Sequence, residues 1–214
     1  GGDELFAGYK YFLPDMLPQT LGEYSARLSQ DTTTQINTHV LSKDFMDRER
    51  HELEFPRPFS EDLLNAQYRD LVFTKLPRVL RFNDRLSMAH GREYREPFLD
   101  HRFVEFAFFL PNNLKIQGNT QKYILRKVME PYIPAQTKEK PKKTFGAIQT
   151  PWFRTYLKEY IMGILSSDSF GSRPYWDQKK VLEAADRFFA GKGDNSFFIW
   201  QWVNMELWLR KYVD

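Results

Sequence analysis

Cysteine is absent from the 214 residues, and long apolar runs are absent as well. The first absence excludes disulfide bonds, thiol nucleophiles and zinc sites built on cysteine, and it fits a reducing compartment. No apolar stretch approaches the roughly 20 residues that a membrane-spanning helix needs. The opening Gly1-Gly2-Asp3-Glu4 lacks the basic and apolar regions of a signal peptide. These absences predict a soluble, cytoplasmic protein that does not bind a membrane.

A strong charge of one sign is also missing. Lys and Arg number 31 against 28 Asp and Glu, a net charge of +3, which is far from the basic field of a nucleic-acid binder. The lysines clustered between positions 138 and 143 are not interleaved with aromatic residues that could stack on bases. The four histidines do not show the His-Glu-x-x-His spacing of a zinc site. We therefore expect neither a nucleic-acid partner nor a zinc ion.

Helical periodicity is the main pattern that is present. Hydrophobic residues make up 42% and aromatic residues 16% of the chain, enough for one core built on large rings. Apolar residues recur at helical spacing, whereas strand signals are weak. The sequence thus predicts a mainly α-helical chain forming a single unit over residues 1–214. The predicted helices cover roughly 60–73, 76–90, 103–110, 120–133 after an N-cap at Asn119 or Thr120, 151–165, 177–189 and 196–212.

The first nine residues, Gly1 to Tyr9, combine two glycines with helix-forming residues. Backbone N–H groups at such a glycine-rich turn can approach an anion. Asp3 could hold Mg²⁺ together with substrate phosphates. The alternative is a flexible glycine start followed by an acidic first helical turn, which the helix dipole favours. For these nine residues in isolation, that alternative is preferred.

A second polar segment, residues 84–100, runs directly into the apolar stripe that begins at Phe103. Charged groups so close to a core usually need partners. An ordinary helix, loop and helix with surface ion pairs fits the spacing equally well. Taken alone, the segment decides nothing.

Together, these segments resemble the synthetase domain of the glutamine-dependent asparagine synthetases, a family that also includes the β-lactam synthetases. The family loop Ser-Gly-x-Gly-x-Asp-Glu, followed by Leu/Val-Phe-x-Gly-Tyr, matches residues 1–9 after its first three positions. The blocks Glu-x-Arg-x-Pro-Phe-Leu-Asp and Lys-x-x-Leu-Arg match residues 93–100 and 122–126. Residues 140–148 match a further block with departures, and residues 200–210 resemble the family's terminal helix. Several motifs in the family's order make a specific signal.

The resemblance implies the helical C-terminal part of an α/β adenine-nucleotide α-hydrolase-like (PP-loop) synthetase domain. Such enzymes use ATP and Mg²⁺ to convert aspartate to an aspartyl-adenylate, which ammonia from a glutaminase domain converts to asparagine. The implied partners are ATP, aspartate or a similar carboxylate, ammonia, and a second copy of the chain or a complementing chain. The family's Ser-Gly-Gly-x-Asp-Ser nucleotide loop is not among the 214 residues. We therefore expect these residues alone to be inactive.

The resemblance also implies which residues handle phosphate. Lys122 matches the family lysine near the α-phosphate and pyrophosphate, where a fixed cation would lower the barrier to pyrophosphate departure. Arg85 matches a basic residue that contacts phosphate, and Asp3 matches the acid associated with magnesium and pyrophosphate. The ATP and pyrophosphate loop is completed by Gly1, Gly2 and Glu4. Without the matching block, Lys122 would be assigned to a solvated helix face.

Glu93 and Tyr9 match the carboxylate–phenol pair that relays a proton in the β-lactam-forming relatives. Structural alternatives remain, such as Glu93 paired with Arg95 or the tyrosine bound to another carboxylate. We predict that Asp3, Arg85, Glu93 and Lys122 face one common cleft. The competing hypothesis is a helical scaffold module that keeps the family's packing residues without its chemistry.

Overall fold

A computed structural model of the chain describes residues 1–17, 37–48, 55–134, 136, 148–193 and 195–214. These residues divide into two compact units. The first lies within Gly1–Leu28 and Glu52–Pro141, and the second within Ser29–His51 and Lys142–Asp214. Among the described residues, the buried apolar side chains of the second unit form one cluster, and those of the first unit form two others.

Helices dominate the described residues. In chain order they are α1 (Gly2–Leu5), α2 (Lys43–Arg48), α3 (Asp62–Val72), α4 (Lys75–Ala89), α5 (His101–Phe109), α6 (Asn112–Lys115), α7 (Tyr123–Met129), α8 (Gln149–Thr155), α9 (Lys158–Leu165), α10 (Asp168–Gly171), α11 (Gln178–Phe189) and α12 (Ser196–Tyr212). Single 3₁₀ turns cover Lys10–Phe12, Thr38–Val40 and Pro97–Leu99. Strands β1 (Ile116–Gln117) and β2 (Thr120–Gln121) form an antiparallel hairpin.

The one-turn helix α1 lies at the centre of the first unit, packed against α3 and α5. Leu5, Phe6 and Ala7 are fully buried. The Phe6 ring meets Phe98 edge-on and Phe103 at a tilt, with centroid separations of 6.3 and 5.7 Å. Large rings contribute most of the apolar area that such a core removes from water. Their burial fixes the position of the polar residues that flank them.

The second unit surrounds a core that includes Phe170, Phe188 and Trp202. Two of its helices begin at side-chain caps: Asp177 accepts a hydrogen bond from Lys180 N in α11, and Ser167 accepts one from Phe170 N in α10. Such caps satisfy backbone donors that have no partner inside a helix.

A buried carboxylate fixes the C-terminal helix of the second unit. Glu206 on α12 is 0% exposed. It accepts hydrogen bonds from Arg173 Nε at 2.8 Å, Arg210 Nε at 2.7 Å and Ser169 Oγ at 2.6 Å. Arg173 also binds the Asp214 carboxylate. Because two cations and a hydroxyl surround this one carboxylate, its charge can be buried.

The mainly helical prediction is confirmed, and α11 and α12 lie close to their predicted bounds. The helix predicted over 151–165 is instead two helices, because Tyr156 N and Leu157 N both donate to Trp152 O and end α8. The predicted N-cap at Asn119 or Thr120 is wrong, because this segment forms the hairpin and α7 begins only at Tyr123. Residues 137–147, which hold most of the 140–148 block, lie outside the described residues. Within the described part, no helix is long and apolar enough to cross a membrane.

Candidate functional site

An ion pair joins the first motif to the third. Lys122 Nζ lies 2.9 Å from Asp3 Oδ1, although the residues are far apart in sequence. The two side chains are 28% and 29% exposed, so both charges are partly shielded yet still open to a ligand. The structure thus brings together two of the four residues that are predicted to share a cleft.

Gly8 lies directly beneath this pair. A Cβ atom placed on Gly8 would lie 2.0 Å from Asp3 Oδ1 and 2.3 Å from Lys122 Cε. Real side chains do not approach so closely, so only glycine leaves room for the pair in this position. The glycine of the motif's Gly-Tyr pair therefore has a direct structural role here.

Replacing Gly8 by alanine should displace the ion pair without unfolding the second unit. We expect Gly8→Ala to cost the first unit about 1–3 kcal/mol, because an added methyl group overpacks a filled space. Gly163 in α9 supplies the control, since an added Cβ there meets nothing within 4 Å and alanine should gain up to about 1 kcal/mol in a helix. Urea unfolding followed by circular dichroism measures both. Equal effects at the two glycines would contradict the crowding at Gly8.

The backbone around the pair is held in an uncommon conformation. Lys122 and Ala7 both have positive φ, 53° and 51°, a region that residues other than glycine visit at a cost of about 1–2 kcal/mol. Lys122 N donates to Phe6 O at 3.1 Å, which ties the first turn of α7 to the segment that follows α1. Such conformations persist only where surrounding contacts fix them, and they often occur at functional sites.

A second carboxylate of the first motif binds the tyrosine at its end. Glu4 is 2% exposed, and its Oε1 accepts a hydrogen bond from Tyr9 Oη at 2.5 Å. Burial raises the pKa of the Tyr9 phenol well above its usual value, and the neighbouring Glu4 charge raises it further. The phenol therefore remains a hydrogen-bond donor across the physiological range.

The phenol ring of Tyr9 also covers a buried cation. Lys75 is 3% exposed, and its Nζ lies 3.6 Å from the Tyr9 ring centroid and 4.6 Å from that of Tyr11. Tyr11 Oη donates to Asp70 Oδ2 at 2.6 Å, and Asp70 Oδ1 accepts from Arg69 Nε at 3.0 Å. Aromatic faces stabilise such cations when water is excluded. The first motif therefore sits on a network of buried charges supplied by α3 and α4.

The remaining predicted residues have other surroundings. Arg85 lies on α4 with its side chain exposed. Glu93 is 70% exposed on its side chain and accepts a hydrogen bond from Arg95 Nε at 3.0 Å. The Glu93–Tyr9 pair implied by the resemblance is thus replaced among the described residues by Glu93–Arg95 and Glu4–Tyr9. The physical reason is proximity, since Glu4 and Tyr9 belong to one compact turn.

The block that ends in Asp100 has a structural role beside the opening glycines. A Cβ on Gly1 would lie 2.9 Å from Phe98 Cβ, so these two parts of the chain are in close contact. The Asp100 side chain accepts a hydrogen bond from Arg102 N and caps α5. Gly1 is the N-cap residue of α1. Two sequence blocks therefore meet at the start of the first motif.

A buried lysine contributes to the surroundings of α1. Lys115 is 0% exposed, and its Nζ donates to Gln67 Oε1 at 3.1 Å. Burial lowers the pKa of the Lys115 ammonium to about 8, while the charge of Glu61 acts in the opposite direction. This cation is held inside the first unit at a cost in stability.

The lowered pKa predicts that the first unit gains stability between pH 8 and 10.5. Below pH 8 both folded and unfolded chains carry the charge, so the full burial cost is present. Above pH 8 the folded chain releases its proton first, and the cost disappears by about pH 10.5. The difference between about 8 and 10.5 corresponds to about 3 kcal/mol at most. Between pH 8 and 10.5, the urea midpoint of the wild-type chain should rise relative to that of Lys115→Met, so that the two values converge or cross. Midpoints that change in parallel with pH would contradict the lowered pKa of Lys115.

Several polar residues of this site carry no signal in the sequence. Gln67, Asp70 and Lys75 fall in or beside amphipathic helices, where a polar residue usually faces water. Their burial is visible only in the fold.

Asp3 is the residue implied as a magnesium ligand. Mg²⁺ usually takes one or two protein carboxylates and completes its shell with water and substrate phosphates. A partly exposed carboxylate beside a lysine fits that limited role. Among the described residues, no group of three or more His, Cys, Asp or Glu side chains could hold a metal ion by itself.

The model of the family described as asparagine synthase matches residues 1–210. The chain belongs to the asparagine synthase family. It is 29% identical over 153 residues to glutamine-hydrolyzing asparagine synthetase 1 of Bacillus subtilis, covering 68% of this chain and 24% of that protein. It is 28% identical over 138 residues to glutamine-hydrolyzing asparagine synthetase of Homo sapiens, covering 56% and 25%. The enzyme of Gallus gallus is 37% identical over 111 residues, covering 49% and 19%.

This asparagine synthase family member therefore spans about a quarter or less of the length of these relatives. No solved structure matches the chain. The Asp3–Lys122 contact lies within the residues that the family model matches.

Proposed function

We propose that the chain forms part of an ATP-dependent amide ligase that adenylates the side-chain carboxylate of aspartate and then forms asparagine with ammonia derived from glutamine. The observation that carries this proposal is the Asp3–Lys122 pair, at 2.9 Å, in a member of the asparagine synthase family. The helical units would complete an α/β PP-loop domain. The names of the relatives support the reaction class.

Lys122 is the proposed catalytic cation. As the aspartate carboxylate attacks the α-phosphorus, the bond to pyrophosphate breaks and negative charge grows on the departing oxygens. A cation already fixed near those oxygens stabilises the charge without reorganising at the moment of reaction. Asp3 holds the ammonium in place and orients it, and it would be the protein's carboxylate toward ATP-bound Mg²⁺.

Other residues have supporting roles in the proposal. Arg85, exposed on α4, would contact phosphate, and the glycines Gly1 and Gly2 would let the backbone approach it. Tyr9 is the proposed proton-relay residue, with Glu4 as the carboxylate that it contacts directly. Glu93, which binds Arg95, is proposed only to position groups. Asparagine formation transfers a proton away from the attacking nitrogen, which requires a base.

Aspartate-dependent exchange of labelled pyrophosphate into ATP tests the proposal. The assay uses a protein that carries these residues together with a Ser-Gly-Gly-x-Asp-Ser loop, and the 214 residues alone serve as the comparison. We expect exchange that requires aspartate and Mg²⁺ in the first and background in the second. Exchange independent of aspartate would point to another acceptor carboxylate. No exchange in either would favour the scaffold hypothesis and overturn the proposal.

A further inference from the structure

The end of α1 is held by a side chain from a distant helix. Gln67 on α3 is 0% exposed, and its Nε2 donates to Glu4 O at 2.7 Å and to Leu5 O at 2.8 Å. The last carbonyls of any helix have no partner within that helix. One buried amide therefore satisfies two of these carbonyls at once, immediately after Asp3.

The orientation of this amide is determined chemically. Backbone carbonyls only accept hydrogen bonds and an ammonium only donates them. Gln67 must therefore direct its NH₂ toward Glu4 and Leu5, and its Oε1 toward Lys115 Nζ, 3.1 Å away. Both ends of the amide are used, so its position cannot shift without breaking a buried hydrogen bond.

A second glutamine acts on the next part of the same segment. Gln121 Nε2 donates to Ala7 O at 3.3 Å, and the following residue, Lys122, donates its backbone N–H to Phe6 O at 3.1 Å. Ala7 and Lys122 are the two residues other than glycine with positive φ among those described. External hydrogen bonds at these points are what would keep such conformations populated.

We propose that Gln67 and Gln121 are positioning residues that hold α1 and the turn after it so that the Asp3 carboxylate meets the Lys122 ammonium. The chemical purpose of the pair rests on the proposed function, whereas the positioning itself is a property of this chain. Each glutamine supplies donors to carbonyls within the segment 4–7, which joins Asp3 to Gly8. Loss of those donors should break the Asp3–Lys122 ion pair while the apolar core stays packed.

Gln67→Glu is the sharpest variant, because the shape is kept and the Lys115 contact can persist while both donors to α1 are lost. Acetylation of lysines by an N-hydroxysuccinimide ester, read by mass spectrometry on the folded chain, reports the state of Lys122. We expect the ratio of the Lys122 acetylation rate to that of exposed Lys179 to rise about fivefold or more in Gln67→Glu, because buried hydrogen bonds of ordinary strength are lost. Lys115→Met is the matched control, because it removes one hydrogen bond from the same amide and leaves the donors to α1.

Internal controls separate positioning from general loosening. Lys75 and Lys115 are buried in the same unit and should stay protected in Gln67→Glu if only α1 is released. If Gln67→Glu does not give a native circular dichroism spectrum, Gln121→Leu tests the same proposal at a half-buried site. We expect a smaller increase in the acetylation rate of Lys122 in that variant.

The outcomes are distinct. Faster acetylation confined to Lys122 supports the proposal. Unchanged Lys122 reactivity in folded variants, or an equal rise at Lys75 and Lys115, overturns it. If Lys122 is released but Lys122→Ala leaves adenylation unchanged in the exchange assay, the positioning role stands and the proposed function fails.

Discussion

Lys122→Ala should depress adenylation by about 100-fold or more while ATP binding weakens far less, in a protein that carries these residues with the nucleotide loop. Negative charge on the pyrophosphate oxygens grows toward the transition state, so a cation fixed there acts mainly on the rate. The structure adds a reason for its fixed position: Asp3 holds the ammonium at 2.9 Å. Pyrophosphate release with saturating aspartate measures the rate, and equilibrium dialysis measures ATP binding.

Matched variants separate this effect from loss of any lysine. Lys43 on α2 is exposed and has no motif match, so Lys43→Ala should change the rate little. Lys122→Arg should recover only part of the rate, because a planar guanidinium does not replace a compact ammonium. Small and equal effects at Lys122 and Lys43 would reduce Lys122 to an ordinary surface residue.

Glu206→Ala should destabilise the second unit strongly, by about 2–4 kcal/mol. Removing the carboxylate leaves Arg173 and Arg210 without their shared partner, and breaking a buried ion pair usually costs 3–5 kcal/mol. We expect somewhat less here because the two arginine side chains are 12% and 36% exposed and can regain water. Every tryptophan lies between positions 152 and 208, so tryptophan fluorescence during urea unfolding reports this unit.

Glu183→Ala is the matched control, since it removes the same side chain from an exposed position of α11 and should change stability by no more than about 0.5 kcal/mol. A comparable loss at Glu183 and Glu206 would show that the buried network contributes nothing.

Lowering the pH should reproduce part of the loss of stability that Glu206→Ala causes in the second unit. Burial by itself raises the pKa of the Glu206 carboxyl, but hydrogen bonds from Arg173, Ser169 and Arg210 outweigh it and hold the pKa below its usual 4.5. The stabilisation is therefore present above pH 4.5 and is lost as the pH falls through the lower folded value. The fluorescence-detected urea midpoints of the wild-type chain and Glu206→Ala should approach each other below pH 4.5.

Local patterns were sufficient for most helices. Both α11 and α12 end near their predicted bounds. The helix α11 is strongly amphipathic, whereas α12 is rich in apolar residues all round and was found from its apolar content. The predicted helix bounds were wrong where a specific hydrogen bond or strand pairing outweighed the local helical preference. Two donors converge on Trp152 O and divide the helix predicted over 151–165, and the hairpin takes the residues expected to begin α7.

The sequence by itself determined the helical class, the order of the motifs and the family, because these depend on residue type and spacing along one chain. Only the tertiary structure decided which charges are buried and which partners meet. Asp3 and Lys122 carry opposite charges in any conformation, but their contact requires α1 and α7 to pack around Gly8. Gln67 and Glu206 look like surface residues in the sequence, yet both are fully buried and make several hydrogen bonds. The reason is that the free energy of burying a polar group depends on donors and acceptors supplied from distant parts of the chain.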